Sequence, residues 1–477
     1  MKVLHIGFGF RPWRGGGLIE YAEDLMEEQS KHGYQVFYFC SGRHYPIVKR
    51  TFLKRWMRSA ISIIEVINPP IYHGGDSGTA FDIESPVIEK LFYEVLCEIK
   101  PDIVHIQELA GLPSSLIDIV AAHGTPMVMT LQDYHLLCPT LKLFDYQYTT
   151  CEDDEPSQKC VLCVRDSPAG IRHQLVRNTL RYEAKRILPD SVRKSAKTLY
   201  DVISHTKAKS LNLRHSARRS HLVNDLLVDF FRTRRQVNVE RLKRVDLLLA
   251  QSSAVERIYR QIAGVENIRT LHLTVKHIEY IHPKVIKINP DFRVKFGTIN
   301  GLATVPKGAR LLLEAIEILK AEGLGSQFEL HVFGGIDKDI QTKVKEFSNV
   351  YYHGFFDVNE LDRIMEPLHV GIIPSVWEEA YGYVGVEFLA KGIPVIGNLK
   401  GGIVDYVLDD VTGWLNVDNN AAGLAKIMKR IIGNPAEIEK LNRKIMEIRG
   451  KLIKTMEQHF YEIDHIYGEI IAAKRRT

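Results

Sequence analysis

The sequence predicts an α/β protein in which two Rossmann-like domains face each other across a cleft, and three observations support this fold. A strand, a glycine-rich loop, a helix and a second strand follow one another between residues 2 and 40. The same order of elements recurs between residues 294 and 333. The chain has 477 residues with 45% hydrophobic content, which is enough for two large cores. Such units build parallel sheets that bind ligands beyond the strand carboxyl ends, so the predicted site is the cleft between the domains.

The first unit begins at the second residue of the chain. KVLHIGFGF is the predicted strand, RPWRGGG the loop, and YQVFYFC the second strand. The helix between them carries Leu18, Tyr21, Ala22 and Leu25 on one face. A dinucleotide fingerprint is disfavoured, because Pro12 occupies the place of its third glycine.

The rest of the N-terminal half predicts further elements of one sheet. The pattern is irregular and uninformative from about Tyr45 to Ser85, and it then predicts a helix over 88–99 and buried strands over 102–107 and 126–131. Another strand follows Arg244. We therefore expect an N-terminal domain over 1–278, a C-terminal domain over 290–455, and a last helix over 456–477 that crosses back to the N-terminal domain.

Residues 165–244 form a basic segment with 20 Lys and Arg against 7 Asp and Glu, in a chain whose net charge is +5. They show no strand signal, so we predict a helical insertion in the N-terminal domain. One stretch, HLVNDLLVDFFRTRR, combines Leu222, Leu226, Leu227, Phe230 and Phe231 with Arg232, Arg234 and Arg235. Such a helix can lie on an anionic membrane, or it can pack on the domain with a solvated basic face. RNA binding is disfavoured, because Tyr182 and Tyr200 are the segment's only tyrosines.

Four of the six cysteines fall within residues 138–163. They are Cys138, Cys151, Cys160 and Cys163, with the spacing C-x12-C-x8-C-x2-C. A C-x2-C pair with two further thiols can close a tetrahedral structural zinc site. Free thiols and a redox disulfide are the alternatives.

The most informative stretch is PSVWEEAYGYVGVEFLAKGIPVI, over 374–396, which Gly401 and Gly402 follow. A helix is predicted to begin near Tyr383, and the amides of its first turn make a phosphate site that Gly382 leaves open. Glu379 lies before that turn and Glu387 lies one turn into the helix. Because a carboxylate can accept hydrogen bonds from two vicinal hydroxyls, the arrangement suits a diphosphate between two polyols, as in a nucleotide sugar. The alternative is that the acidic residues only complement the helix dipole.

The order P-S-x-W-x-E-x-x-G-x-x-x-x-E-x-x-A-x-G-x-P-V-I, followed by G-G-x-x-D, resembles the retaining glycosyltransferases of family 4, which have the GT-B fold. The resemblance implies that Glu379 lies against the transferred sugar and that Glu387 binds the ribose of the donor. It also implies that the backbone near Gly382, Tyr383 and Val384 holds the sugar and the diphosphate.

The resemblance extends to other positions, with two departures. Lys307 matches the lysine that neutralises the donor diphosphate, and Gly16 and Gly17 match the N-terminal glycine loop that touches the phosphates, although a plain tight turn also explains them. Leu302 stands where the family usually has an arginine, and Gln132 stands where it often has a histidine. We expect His135 to be only a secondary candidate for that histidine's role. Some members of the family carry a similar cysteine loop.

The resemblance implies an enzyme that transfers a sugar from a nucleotide-sugar donor to an acceptor hydroxyl with retention at the anomeric carbon. The acceptor is expected to be a sugar, a lipid-linked glycan or another hydroxyl, in polysaccharide or glycolipid biosynthesis. No cofactor is expected for catalysis, and no nucleic acid as a partner. The alternatives are a nucleotide-sugar epimerase of the same fold, a glycoside hydrolase, or a non-enzymatic basic protein that docks on membranes. Without a signal peptide or an apolar span, we expect a cytoplasmic protein, with the inner membrane face as a further location.

Overall fold

The computed structural model describes residues 1–72, 82–152, 156, 158–164, 168–187, 221–289 and 292–476. The side chains of residues 168, 169 and 221–225 are outside this description, so the prediction for Leu222 falls outside it. Much of the basic insertion, over residues 165–167 and 188–220, also lies outside the described residues.

The N-terminal half is built on one eight-stranded sheet. Its strands are β1 (Lys2–Gly7), β2 (Gln35–Ser41), β3 (Phe52–Arg58), β4 (Ile61–Ile67), β5 (Ile103–Ile106), β6 (Met127–Leu131), β7 (Leu247–Ala250) and β8 (Ile268–Thr270). Across the sheet the order is β3-β4-β2-β1-β5-β6-β7-β8, and only β3 is antiparallel to its neighbour. The helices are α1 (Gly17–Lys31), α2 (Pro86–Ile99), α3 (Leu116–His123), α4 (Gln158–Cys163), α5 (Pro168–Ile187), α6 (His221–Leu242) and α7 (Ser253–Ala263).

The C-terminal half repeats this plan with a six-stranded parallel sheet. Its strands are β9 (Val294–Thr298), β10 (Phe328–Phe333), β11 (Val350–Gly354), β12 (Val370–Ile373), β13 (Val395–Asn398) and β14 (Gly413–Asn416), in the order β11-β10-β9-β12-β13-β14. The helices are α8 (Ala309–Ala321), α9 (Lys338–Val344), α10 (Leu361–Met365), α11 (Tyr383–Ala390), α12 (Ala421–Gly433), α13 (Ala436–Leu452) and α14 (Met456–Lys474). The predicted fold of two Rossmann-like units across a cleft is thus confirmed, whereas the exact domain boundaries stay a prediction.

Each sheet reverses its strand order next to its first strand. In the N-terminal sheet β1 lies between β2 and β5, and in the C-terminal sheet β9 lies between β10 and β12. Loops that leave such a point in opposite directions open a crevice at the strand carboxyl ends, where parallel α/β sheets bind their ligands. The fold therefore offers one ligand crevice per domain.

Two strands lie in the region between Tyr45 and Ser85, where the sequence pattern is irregular. Strands β3 and β4 form a tight hairpin in which Arg58 pairs with Ile61 and Ser59 adopts a positive φ of 50°. β3 is an edge strand whose charged side chains break the alternation of apolar and polar residues that identifies a strand. β4 is nearly all apolar because it is buried beside β2.

The last helix, α14, returns to the N-terminal half of the chain. Its Tyr467 hydroxyl lies 2.6 Å from Nδ1 of His105 on β5, and its His459 Nε2 lies 2.9 Å from the Tyr21 hydroxyl on α1. All four side chains are buried. Buried hydrogen bonds of this kind fix the relative position of the elements that share them, so α14 ties the chain end to the N-terminal sheet.

The described end of the basic segment is not a solvated basic face. Arg234 is 1% exposed and donates from Nε and Nη2 to the two carboxylate oxygens of Asp82, each at 2.7 Å. Arg235 is also buried and donates to the Leu137 carbonyl at 2.9 Å. The prediction that both arginines lie on an exposed face is therefore wrong, because the far half of α6 packs inward and pairs its charges. Leu226 is exposed, whereas Phe231 is buried.

Gly308, which precedes α8, offers a test of how the C-terminal side of the cleft is packed. It has φ +74°, and an added Cβ would lie 1.7 Å from the Pro374 carbonyl oxygen. We expect Gly308→Ala to lower the free energy of unfolding by about 2–5 kcal/mol, since a left-handed backbone costs roughly 1–2 kcal/mol and overpacking adds about 1–3. Gly323→Ala is the matched control, because Gly323 has φ +75° and its Cβ would meet no described atom within 4 Å. Equal thermal midpoints for the two variants would contradict the packing.

Candidate active site

A cavity of about 510 Å³ lies between the two halves of the molecule. Its lining includes most of the residues that the sequence singled out, which are Gly17, Lys307, Glu379, Gly382, Tyr383, Val384 and Glu387. Gln132 lines it as well, whereas Gly16 and His135 do not. The size is in the range of pockets that hold a small organic ligand.

The floor of the cavity on the C-terminal side is the start of helix α11. Gly382 caps this helix with φ +84°, and the Gly385 Cβ position lies 2.0 Å from the Tyr406 ring, so the helix start packs against Tyr406. The first amides of a helix have no partner within the helix. Those of Tyr383 and Val384 therefore border the cavity as donors, and the helix dipole adds positive potential there.

Glu379 is buried and already accepts two hydrogen bonds. Lys307 donates to its Oε1 at 2.6 Å and Ser375 Oγ donates to the same oxygen at 2.8 Å. Burial alone raises the pKa of a carboxyl group, but Lys307 and Ser375 outweigh it and lower the pKa of Glu379. Glu379 is therefore a carboxylate at neutral pH, and Lys307 is its counter-ion.

Glu387 is held by a histidine that the sequence analysis did not single out. His277, in the segment that connects the two sheets, lies 2.7 Å from Glu387 through Nε2 and 3.1 Å from Glu20 through Nδ1. Burial would lower its pKa, but the two carboxylates raise it to about 9. The imidazolium thus joins α1 of the N-terminal half to α11 of the C-terminal half.

The charge on His277 makes a pH-dependent contribution to stability. Because its folded pKa of about 9 exceeds the unfolded value of 6.5, the contribution is full below pH 6.5 and is lost as the pH rises through 9. The shift corresponds to roughly 3 kcal/mol. We expect His277→Gln to lower the thermal midpoint at pH 6, and the difference from wild type to shrink by pH 10. A difference that does not change with pH would contradict the ion pairs.

The N-terminal side of the cavity is formed by the glycine loop and the end of β6. Gly17 begins α1, and a Cβ there would lie 3.0 Å from the Tyr383 ring, so the loop approaches the helix start closely. Gly16 has φ +127° and caps α1. Their roles toward a donor stay predictions.

His135 cannot take the place of the histidine that Gln132 replaces. Its Nε2 lies 3.1 Å from Asp82 and its carbonyl accepts from Arg234, so it belongs to a buried ion cluster. Despite burial, Arg234 and His135 hold the pKa of Asp82 well below its usual range. Gln132, an amide, lines the cavity instead.

Leu302 is buried and donates its amide to the Gly335 carbonyl at 2.6 Å. It supplies no charge where the resembled family usually has an arginine. Among the described residues that line the cavity, Lys307 is the only lysine or arginine.

The four clustered cysteines lie near one another. Burial and the neighbouring thiols of Cys138, Cys160 and Cys151 raise the pKa of Cys163 to about 12. All six cysteines are described and none forms a disulfide. In the described part of the chain, no three His, Cys, Asp or Glu side chains are arranged to hold a metal ion. The structural zinc site therefore stays a prediction.

No helix in the described ranges is long and apolar enough to cross a membrane.

Comparison with known proteins gives a family match in the C-terminal half. Residues 293–434 match the model of the family described as "Glycosyl transferases group 1". The chain is 24% identical over 164 residues to the amylovoran biosynthesis glycosyltransferase AmsK of Erwinia amylovora. The alignment covers 33% of this chain and 40% of AmsK. This chain thus spans less than half the length of that relative.

Solved structures resemble nearly the whole chain. Sucrose-phosphate synthase from Thermosynechococcus elongatus aligns over 99% of this chain and 100% of its own, with a TM-score of 0.59 and 15% identity. HepE from Anabaena, in complex with UDP, aligns over 98% of this chain and 100% of its own, with a TM-score of 0.57 and 14% identity. These similarities establish the GT-B fold for this chain.

Proposed function

We propose that this protein, whose residues 293–434 match the model of the group 1 glycosyltransferases and whose two domains have the GT-B fold, transfers a sugar from a nucleotide-sugar donor to an acceptor hydroxyl. The proposal rests on one observation, which is that Lys307, Glu379, Glu387 and the start of α11 line the same cavity between the domains. That set matches the parts of a nucleotide sugar, namely a diphosphate with a sugar on one side and a ribose on the other.

Donor binding requires an exchange of partners at Lys307. The lysine now pairs with Glu379 at 2.6 Å, and a diphosphate at the α11 start offers it a stronger counter-charge. When Lys307 turns to the phosphate, Glu379 keeps its bond from Ser375 and gains free acceptor sites for the hydroxyls of the sugar. Glu387 accepts from the ribose hydroxyls in the same way.

The chemistry breaks the bond between the anomeric carbon and the phosphate oxygen and forms a bond from that carbon to the acceptor oxygen. We propose that attack occurs on the same face, with retention, and that the departing phosphate takes the proton of the acceptor hydroxyl. Negative charge then grows on the phosphate, where Lys307 and the amides of Tyr383 and Val384 stabilise it. The Glu379 carboxylate stabilises the positive charge that develops on the sugar. In this scheme the residues of the chain neutralise the diphosphate without a cofactor.

The donor and the acceptor are proposed by class. HepE binds UDP in its solved complex, which makes a UDP-sugar the first donor to test. AmsK is named for amylovoran biosynthesis, and a role for this chain in polysaccharide or glycolipid biosynthesis follows as a proposal. A nucleotide-sugar epimerase, which would use the same donor cavity and need no acceptor, is the alternative that product analysis tests.

The test is a thermal-shift panel of UDP-, GDP-, ADP- and CMP-sugars, followed by product analysis with the donor that stabilises the protein. We expect one base to raise the midpoint, and NMR of the product to show the donor's anomeric configuration in a new glycosidic bond. A changed nucleotide sugar without an acceptor would favour the epimerase. If no nucleotide sugar stabilises the protein, the proposed donor site is wrong.

A further inference from the structure

The N-terminal crevice contains a positive charge that the donor site does not explain. Arg14, in the loop between β1 and α1, is half-buried and packs over the ring of Phe8 at 3.7 Å and that of Trp13 at 4.5 Å. Its amide donates to the Phe10 carbonyl at 2.9 Å, which fixes the turn. Gly9, with φ +78°, leaves room for this packing, because a Cβ there would lie 2.8 Å from Cδ of Arg14.

Arg14 differs from Arg11 and Arg43 in having no acidic partner. Arg11 pairs with Glu23 at 2.5 Å, and Arg43 pairs with Glu65 at 2.5 Å. No carboxylate of the described residues pairs with Arg14. Burial without a counter-ion lowers its pKa to about 9. A desolvated cation without a partner is unfavourable unless a ligand supplies the anion.

Two polar ring nitrogens beside Arg14 are also without a hydrogen-bond partner. Nε2 of His44 and Nε1 of Trp13 are buried and have no hydrogen-bond partner among the described residues. Burial and the positive charges of Arg14 and Arg172 lower the pKa of His44 to about 3, so its imidazole is neutral at pH 7. Buried polar atoms are rarely left without a hydrogen-bond partner, unless a ligand or a water molecule supplies one.

The location of this group is that of a ligand site. Phe8 and Arg14 follow β1, the strand beside which the N-terminal sheet reverses its strand order, and His44 follows the neighbouring strand β2. The equivalent point of the C-terminal sheet holds the donor cavity. Cβ atoms at Gly15 and Gly16 would meet no described atom within 4 Å, so the loop leaves the site open.

The site lies within reach of the donor cavity. Gly17 lines that cavity, and three residues span at most about 10 Å. An acceptor with an anion at Arg14 can therefore place a hydroxyl near the anomeric carbon. We infer that Arg14, with His44, Trp13 and Arg172, binds an anionic group of the acceptor, a phosphate or diphosphate, an inference that rests on the proposed transferase function.

The test measures anion binding directly, with methyl phosphate as the probe for a phosphomonoester and pyrophosphate as the probe for a lipid-linked diphosphate. Each is titrated against wild type, Arg14→Met and Lys307→Ala by thermal shift, with chloride at equal ionic strength as the control. We expect one of the probes to stabilise wild type and Lys307→Ala, and its affinity for Arg14→Met to fall at least tenfold. The probe that binds more tightly shows whether the anionic group of the acceptor is a phosphomonoester or a diphosphate.

The variants separate this inference from the proposed function. Arg14→Met keeps the packed stem without the charge, so we expect it to be at least as stable as wild type without anions and to bind nucleotide sugar normally. If Arg14→Met is less stable and no anion distinguishes it from wild type, Arg14 is structural and the inference is wrong. Arg14→Lys keeps the charge and should still bind the anion. If Arg14→Lys loses as much anion affinity as Arg14→Met, the inference is also wrong. Loss of nucleotide-sugar binding in Lys307→Ala reports on the donor site alone.

Discussion

The Lys307→Ala variant is expected to lose transferase activity by about 10²–10³-fold in kcat, because one well-placed group that stabilises developing charge contributes roughly that much. Lys307 is the only lysine or arginine among the described residues that line the cavity, so no other side chain of that kind can replace it there. Lys307→Arg keeps the charge and should recover part of the rate. Steady-state rates with the donor found in the thermal-shift panel are the measurement.

The same variant should change the pH dependence of the reaction. In wild type, Lys307 and Ser375 lower the pKa of Glu379 against the effect of burial. Without Lys307, Glu379 takes up a proton at a higher pH, so the acid limb of the kcat/KM profile should move to higher pH. Lys320→Ala on α8 is the control, since Lys320 lies over the Phe347 ring outside the cavity. An unshifted acid limb together with a wild-type rate would exclude Lys307 from the site.

The features that the sequence predicts well are those that contiguous residues determine. Glu379, Gly382 and Glu387 lie in one loop and the helix that follows it, so their spacing alone brings them to one cavity. Lys307 lies in the loop after β9, next to the loop after β12, and the alternation of strands and helices is enough to place both at one sheet edge. The two-domain architecture follows from the same repeated unit.

The features that the sequence did not reveal depend on contacts between distant segments. His277 reaches Glu20 across 257 positions and Glu387 across 110, and no local pattern marks a histidine in a connecting segment as a bridge. Arg234 is buried because Asp82, 152 positions away, meets it with two hydrogen bonds. Charge composition alone places such an arginine at the surface, since the burial of a charge depends on its partner.

The Glu387→Ala variant is expected to bind the donor about 10–100-fold more weakly, since hydrogen bonds to a charged group contribute roughly 1.5–3 kcal/mol. The loss should affect the free nucleoside diphosphate as much as the nucleotide sugar, because the proposed contact is to the ribose. Isothermal titration of both ligands measures this. The fold should persist, since His277 keeps Glu20 as a partner when Glu387 is removed.

Glu379→Ala is the matched comparison, because Glu379 lies in the same cavity but is proposed to contact only the transferred sugar. It should weaken binding of the nucleotide sugar but not that of the nucleoside diphosphate, because its loss frees Lys307 for the phosphates. Comparing the two ligands in the two variants thus tests whether Glu379 contacts the transferred sugar and Glu387 contacts the ribose. If both variants weaken both ligands equally, the carboxylates act only through the general potential of the cavity and the proposed orientation of the donor is wrong. If Glu387→Ala binds the nucleoside diphosphate as wild type does, the ribose contact does not exist, and the pair of Glu387 with His277 serves only to join the two domains.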